Sequence, residues 1–213
     1  MTGRVVRDYL RDPAAIYAAS FATIEAEAKL DGLTRAERTV AIRIVHACGM
    51  TDVAGSLSFA PGAVEAGVDA LEHGAPVVCD VEMVRQGIIA RRLPASNDVL
   101  CALRDDRTVD HAAALATTRT AAALDLLVDR WGGAIVAIGN APTALFHLLE
   151  AVAAGAPRPA LVVGLPVGFV GAVESKEALA ASDLPFVTLP GRRGGSAMAS
   201  AAVNALCGQG SAA

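Results

Sequence analysis

The sequence predicts a doubly wound α/β domain: a parallel sheet of about five strands, helices on both faces, and a helical N-terminal segment. Three observations carry this. Five short runs are continuously apolar, as strands covered on both faces are: "PVVCD", "DVLCAL", "AIVAIG", "ALVVG" and "PFVTLP". Helix-type stretches separate most of them, which is the order of a parallel sheet. The stretch before Pro76 carries helix signals only. The 213 residues fit one domain with a substantial core, and no linker, low-complexity tract or internal repeat divides them. Residues 1–213 therefore read as a single domain, with flexible ends at 1–11 and 208–213.

Each element has its own signal. Asp12-Pro13 is an N-cap followed by a first-turn proline, and the helix it starts should reach about Leu30, with Gly32 beyond. Thr34-Arg35-Ala36-Glu37 is a capping box. Val40, Ile44 and Ala47 then form an apolar stripe, and Gly49 offers a left-handed stop. A third helix opens at Pro61 and ends near His73-Gly74. After the first strand, "VEMVRQGI" fits a short helix. A long helix should run from about Thr108 to Trp131 and carry Arg119. Further helices should span Pro142 to about Ala154 and Gly195 to Cys207.

Composition excludes several function classes. Net charge is −4, so there is no global basic field for nucleic acid. No apolar run reaches the ~18–20 residues that span a bilayer. "MTGRVVRDYLRDP" is not a secretory signal, so the chain reads as cytoplasmic. Cys48, Cys79, Cys101 and Cys207 are scattered among apolar neighbours, which suits reduced, buried thiols and neither disulfides nor zinc. Lys29 and Lys176 are the only lysines; every other basic residue is arginine. Two readings are open: a GC-rich coding sequence, or planar guanidinium groups kept for carboxylates or phosphates.

Ligands of an open parallel sheet bind beyond the carboxyl ends of its strands. Those exits are "CDVEM", "IGNAPT", "GLPVGFVGAVESK" and "LPGRRGGSAM". Two of them run into helix N-termini, whose N–H groups suit anions. No phosphate loop, dinucleotide fingerprint or nucleophile elbow is present. Residue chemistry alone therefore indicates an α/β protein with several anion-suited loops. Arg43 and His46, three apart in "RIVHACGM", share a face at a helix end. They either stabilise that end or take part in chemistry. "RRLP" and "GRR" read as solvated loop charges, although Arg192 and Arg193 lie at a strand exit. His147 reads as a core histidine, and His73 and His111 as surface or cap residues.

Longer stretches go further. "SFATI" with "RIVHACGM", "GAPVVCDVEMVRQGI", "IGNAPTALFHLLE", and "GLPVGFVGAVESKEAL" with "GRRGGSAMASAAVNAL" together closely resemble the precorrin-8X methylmutase family of cobalamin biosynthesis, from about Asp12 to Leu206. The resemblance implies a flavodoxin-like fold and a homodimer whose two subunits both contribute to each site. It implies an isomerase that moves a methyl group from carbon 11 to carbon 12 of a corrin precursor, giving hydrogenobyrinic acid, without any cofactor. A related route handles a cobalt-containing ring. The family's histidine falls on His46, and its substrate-contacting serine and arginine fall on Ser20 and Arg43.

A corrin precursor is a broad apolar macrocycle with several carboxylate arms. Arg119, Asn140, Thr143, Ser175 and Lys176 are the further candidates to meet those arms. The expected partners are this tetrapyrrole, a second copy of the chain and the next enzyme of the pathway, with neither nucleic acid nor membrane. No metal ligand is expected. A carrier that binds the corrin without turnover is the alternative; a carrier has no need of an acid at the reacting ring.

Overall fold

The computed structural model describes residues 7–208. Of the ends expected to be flexible, residues 1–6 and 209–213 lie outside the described residues, and residues 7–11 are exposed and without regular structure. The chain begins with α1 (Pro13–Glu27) and α2 (Arg35–Cys48). A 3₁₀ turn (Thr51–Ser56) leads to β1 (Ser58–Phe59) and α3 (Ala63–Glu72). Then come β2 (Val77–Cys79), α4 (Glu82–Gly87), a 3₁₀ turn (Ala90–Arg92), β3 (Val99–Leu100), α5 (Thr108–Ala114) and α6 (Arg119–Asp125). The remainder is β4 (Ile135–Ile138), α7 (Pro142–Ala153), β5 (Leu161–Gly164), α8 (Ala172–Ala180), β6 (Phe186–Thr188) and α9 (Ser196–Leu206).

The sheet order is β1-β6-β5-β4-β2-β3, with β1 antiparallel to β6 and all other pairs parallel. Without β1, the five parallel strands run in the flavodoxin-like order, with the switch point between β2 and β4. Side chains alternate strictly between two cores. Val77, Cys79, Ile135, Ala137, Leu161, Val163 and Val187 face the layer of α2, α3, α4 and α9. Val78, Val136, Ile138, Val162 and Phe186 face the opposite layer, with Leu124 and Trp131 and with Leu145 and Leu148 of α7. Both faces are covered, so no polar face remains and the strands read as continuous apolar runs.

Four expectations need correction. The sheet has six strands where about five were expected; β1 is a two-residue edge strand, too short to leave an alternation signal. The long helix from Thr108 to Trp131 is broken. Ala116 takes a left-handed conformation (φ 48°), and Thr118 caps a new helix by accepting the Ala121 N–H. Beyond Asp125 the chain tightens into a 3₁₀ turn at Val128–Arg130. The end of "GLPVGFVGAVESK", read as a strand exit, is already helical: α8 starts after Gly171 at φ 76°. The first helix ends at Glu27, where Ala28 is already extended.

The four cysteines are unpaired. Burial raises all four thiols, Cys101 to about 11. Among the described residues no helix is long and apolar enough to cross a membrane, and no group of three or more His, Cys, Asp or Glu gathers as a metal site would.

Candidate active site

Helices α1 and α2 build the most developed polar cluster. The capping box forms as the residues require: Thr34 accepts the Glu37 N–H, and Glu37 reaches back to the Thr34 N–H. Gly49 closes α2 at φ 69°, its N–H donating to the Val45 carbonyl. With both ends fixed, the buried stripe of Val40, Ala41, Ile44 and Val45 sets the rotation of α2. Arg43 and His46 then face α1, which offers Tyr17, Ser20 and Phe21 from one side at spacings of three and four.

The two helices meet through these side chains. Ser20 Oγ lies 2.9 Å from His46 Nδ1. Arg43 Nη1 donates to the Tyr17 hydroxyl at 2.6 Å. The Phe21 ring stacks on the His46 imidazole at 5.1 Å and 15°, and Tyr17 tilts against it at 5.2 Å. The Arg43 guanidinium lies 5.0 Å from the Phe21 ring centre and 5.6 Å from that of Tyr17.

His46 stays exposed, and its Nε2 has no hydrogen-bond partner among the described residues. Aromatic rings fix the imidazole plane while Ser20 holds one nitrogen. A hydroxyl both donates and accepts, so Ser20 supports the neutral ring and the imidazolium alike. The free nitrogen is then a proton donor whenever the ring carries a proton there. Such an arrangement suits acid chemistry on a ligand seated over α1 and α2.

The expected residues fall into three places. Ser20, Arg43 and His46 come together as above. Arg119, Asn140 and Thr143 collect on the starts of α6 and α7. Arg119 is the first residue of α6 and donates to the Leu103 carbonyl at 3.4 Å. Thr143 Oγ1 lies 2.8 Å from Thr118 Oγ1, tying the two helix starts together, and Asn140 is exposed. No described contact joins this group to His46. Ser175 and Lys176 were expected to present polar groups to a ligand, but both point inward. Ser175 is fully buried and donates to the Ala172 carbonyl within its own helix. Lys176 is 1% exposed, and its Nζ donates to the Arg193 carbonyl at 2.7 Å. Burial lowers its pKa to about 8. Lys176 thus holds the β6 exit loop. Arg193 in that loop pairs with Asp52 at 2.5 Å, and Arg192 lies over Phe169.

The backbone at the start of α7 is also not open to a ligand as expected. The N–H groups of Gly139, Asn140 and Ala141 donate to the Asp80 carboxylate at 3.1, 2.9 and 2.9 Å. Asp80 is fully buried at the β2 exit. Burial pushes its carboxyl up, against the pull of those amides. An acid directly ending "VVC" was the available signal. Two more residues escaped sequence reasoning: Tyr17, legible only as one member of a helical face, and Arg92, taken for a solvated charge.

The sequence profile of the precorrin-8X methylmutase family matches residues 15–209. A precorrin-8X methylmutase of Pseudomonas aeruginosa is 55% identical over 201 residues, covering 93% of this chain and 97% of the relative. A cobalt-precorrin-8 methylmutase of Priestia megaterium is 37% identical, covering 91% and 87%. Among solved structures, a precorrin-8X methylmutase from Thermus thermophilus superposes with a TM-score of 0.82 at 40% identity, covering 91% of this chain and 94% of its own.

Proposed function

Because the chain belongs to the precorrin-8X methylmutase family, we propose that it moves the methyl group of precorrin-8X from carbon 11 to carbon 12, giving hydrogenobyrinic acid, with His46 as the general acid. Membership makes it an isomerase of cobalamin biosynthesis. The observation that carries the finer reading is the His46 imidazole, held at Nδ1 by Ser20 and stacked on Phe21, with Nε2 open. Greater identity to a relative named for precorrin-8X than to one named for its cobalt form favours the cobalt-free ring.

In this mechanism His46 donates a proton, or a strong hydrogen bond, from Nε2 to a ring nitrogen of the conjugated system. The system becomes electron-poor. The bond from carbon 11 to the methyl breaks as the bond to carbon 12 forms, and the proton returns to His46. Nothing is consumed, and no cofactor takes part. Imidazole suits the step because its ordinary pKa, ~6.5, is near neutral. Arg43 anchors one carboxylate arm beside the reacting edge. Arg119, Asn140 and Thr143 meet other arms, Lys176 acts from behind through the loop it holds, and Ser175 is turned into its own helix. The Arg119 group has no described contact with His46 in one chain. A homodimer, with both subunits contributing to each site, brings the two groups to one ligand. The enzyme works in the cytoplasm and passes its product to the next enzyme of the pathway.

The test is anoxic incubation with precorrin-8X, followed by visible spectroscopy. Conversion supports the enzyme, a bound but unchanged ring indicates a carrier, and no association defeats both. His46→Ala should lower turnover ~10²–10⁴-fold while product binding largely survives. Parental turnover in that variant removes His46 from the mechanism.

A further inference from the structure

Beside the α1–α2 cluster a cavity of about 480 Å³ opens between α2, the Ala90–Arg92 turn and the end of α9, lined in part by Thr39, Arg43, Arg92, Asn204 and Cys207. Two arginines thus line one space. Neither has a carboxylate partner among the described residues: Arg43 donates to the neutral Tyr17 hydroxyl, and Arg92 makes no side-chain hydrogen bond or ion pair. Other arginines of this chain do find acids, as in Arg85–Glu82, Arg107–Asp105, Arg130–Asp98, Arg158–Asp183 and Arg193–Asp52. Two unpaired like charges lining one hollow make a local positive field in a chain of net charge −4.

The Arg92 turn is also held in place. Asn204 on α9 accepts the Ile89 N–H at 2.8 Å and donates to the Gly87 carbonyl at 2.9 Å. These bonds pin both sides of the turn's start to α9. They use the amide fully enough that Asn204 serves as a scaffold and leaves recognition to the arginines. Asn204 also lines a second hollow, of about 370 Å³, lined in part by Ala47, Gly87, Ala197 and Ala201. Met83, 72% exposed, lines it as well. Both are bordered by α2, the helix that carries the proposed acid: Arg43 lines the basic cavity and Ala47 the apolar hollow.

We propose that Arg43 and Arg92 form a paired seat for one carboxylate arm of the substrate, with Asn204 as the positioning residue of Arg92, and that the macrocycle rests over the adjoining hollow. This rests on the reading of the chain as a corrin isomerase. It assigns Arg92 to recognition, and it gives the floor of small residues a purpose, since a flat ring needs a surface without projections. A carboxylate between two guanidiniums takes charge-assisted bonds from both, and each arginine then relieves the field of the other.

The experiment titrates hydrogenobyrinic acid into the parent, Arg92→Ala and Arg92→Lys, and repeats it with the same ring bearing amidated, neutral arms. Arg92→Ala should weaken binding of the acid by about 10–100-fold. Arg92→Lys should recover part of that loss, and the neutral ring should not distinguish the proteins. In turnover, KM should rise more than kcat falls, the reverse of His46→Ala. Equal affinity of parent and Arg92→Ala for the acid overturns the paired seat while leaving the isomerase intact. A loss of equal size with the neutral ring overturns it too, because the effect is then one of shape. If the parent neither binds nor converts the corrin, the functional reading fails and the seat fails with it.

Discussion

Ser20 and His46, 26 residues apart in sequence, meet at 2.9 Å between two helices. The pair explains why a hydroxyl belongs on an otherwise exposed face of α1. Ser20→Ala removes the partner that orients the ring but leaves the acid in place. Its kcat should fall by ~10-fold, well short of the loss in His46→Ala, as read in the same spectral assay. Tyr17→Phe keeps the ring and removes the hydroxyl that Arg43 grips. Lys176 allows a test of burial. Its folded pKa, about 8, lies below the ordinary lysine value of 10.5. Between those values the unfolded chain binds more protons than the folded one, so the lysine's contribution to stability rises with pH there. Urea unfolding from pH 8 to 10.5 should show the parent gaining on Lys176→Met.

At the scale of elements, α5, α6 and α7 are fastened by one carboxylate. Asp125, at the end of α6, takes His111 at 2.6 Å and His147 at 2.7 Å. Burial raises its carboxyl, but the two imidazoles outweigh this and leave the pKa lowered. An acid with a lowered folded pKa adds stability above the ordinary carboxylate range and loses it as pH falls through the folded value. Asp125→Asn should cost about 1 kcal/mol at neutral pH, and the gap to the parent should close below pH ~4, as followed by acid unfolding. His147 was expected as a satisfied core histidine; its partner, on another helix, left no local sign.

The same contrast governs what the sequence makes legible. Helix α2 could be read end to end because Thr34, Glu37 and Gly49 act within one turn of their own positions. Arg43 and His46 could be placed on one face for the same reason. The break at Ala116 could not, since alanine rarely adopts φ 48° and no glycine marks the stop. Helix α8 begins at Gly171 without a side-chain cap, so its start left no signal. Asp80 and Arg92 depend on chain segments far away in sequence, and such contacts carry no spacing rule.

For the whole molecule, the two groups of expected site residues lie on helices of opposite layers of one sheet. If a dimer joins them, two defective proteins should repair each other. Mixing His46→Ala with Arg119→Ala, with subunit exchange, should restore about a quarter of parental activity. Half the dimers are then mixed, and each has one intact site; a mixture no better than its parts rules out sharing. The sheet itself holds a further lesson in Asp80. In flavodoxin-like proteins the crevice between the first and third parallel strands is where a cofactor docks. Here the chain supplies its own tenant, a carboxylate seated on three amides where a nucleotide's phosphate would otherwise compete. The fold has in effect been vaccinated against its commonest guests. A ligand reaching this end of the sheet meets the exposed Asn140 side chain, not the amides that Asp80 already holds.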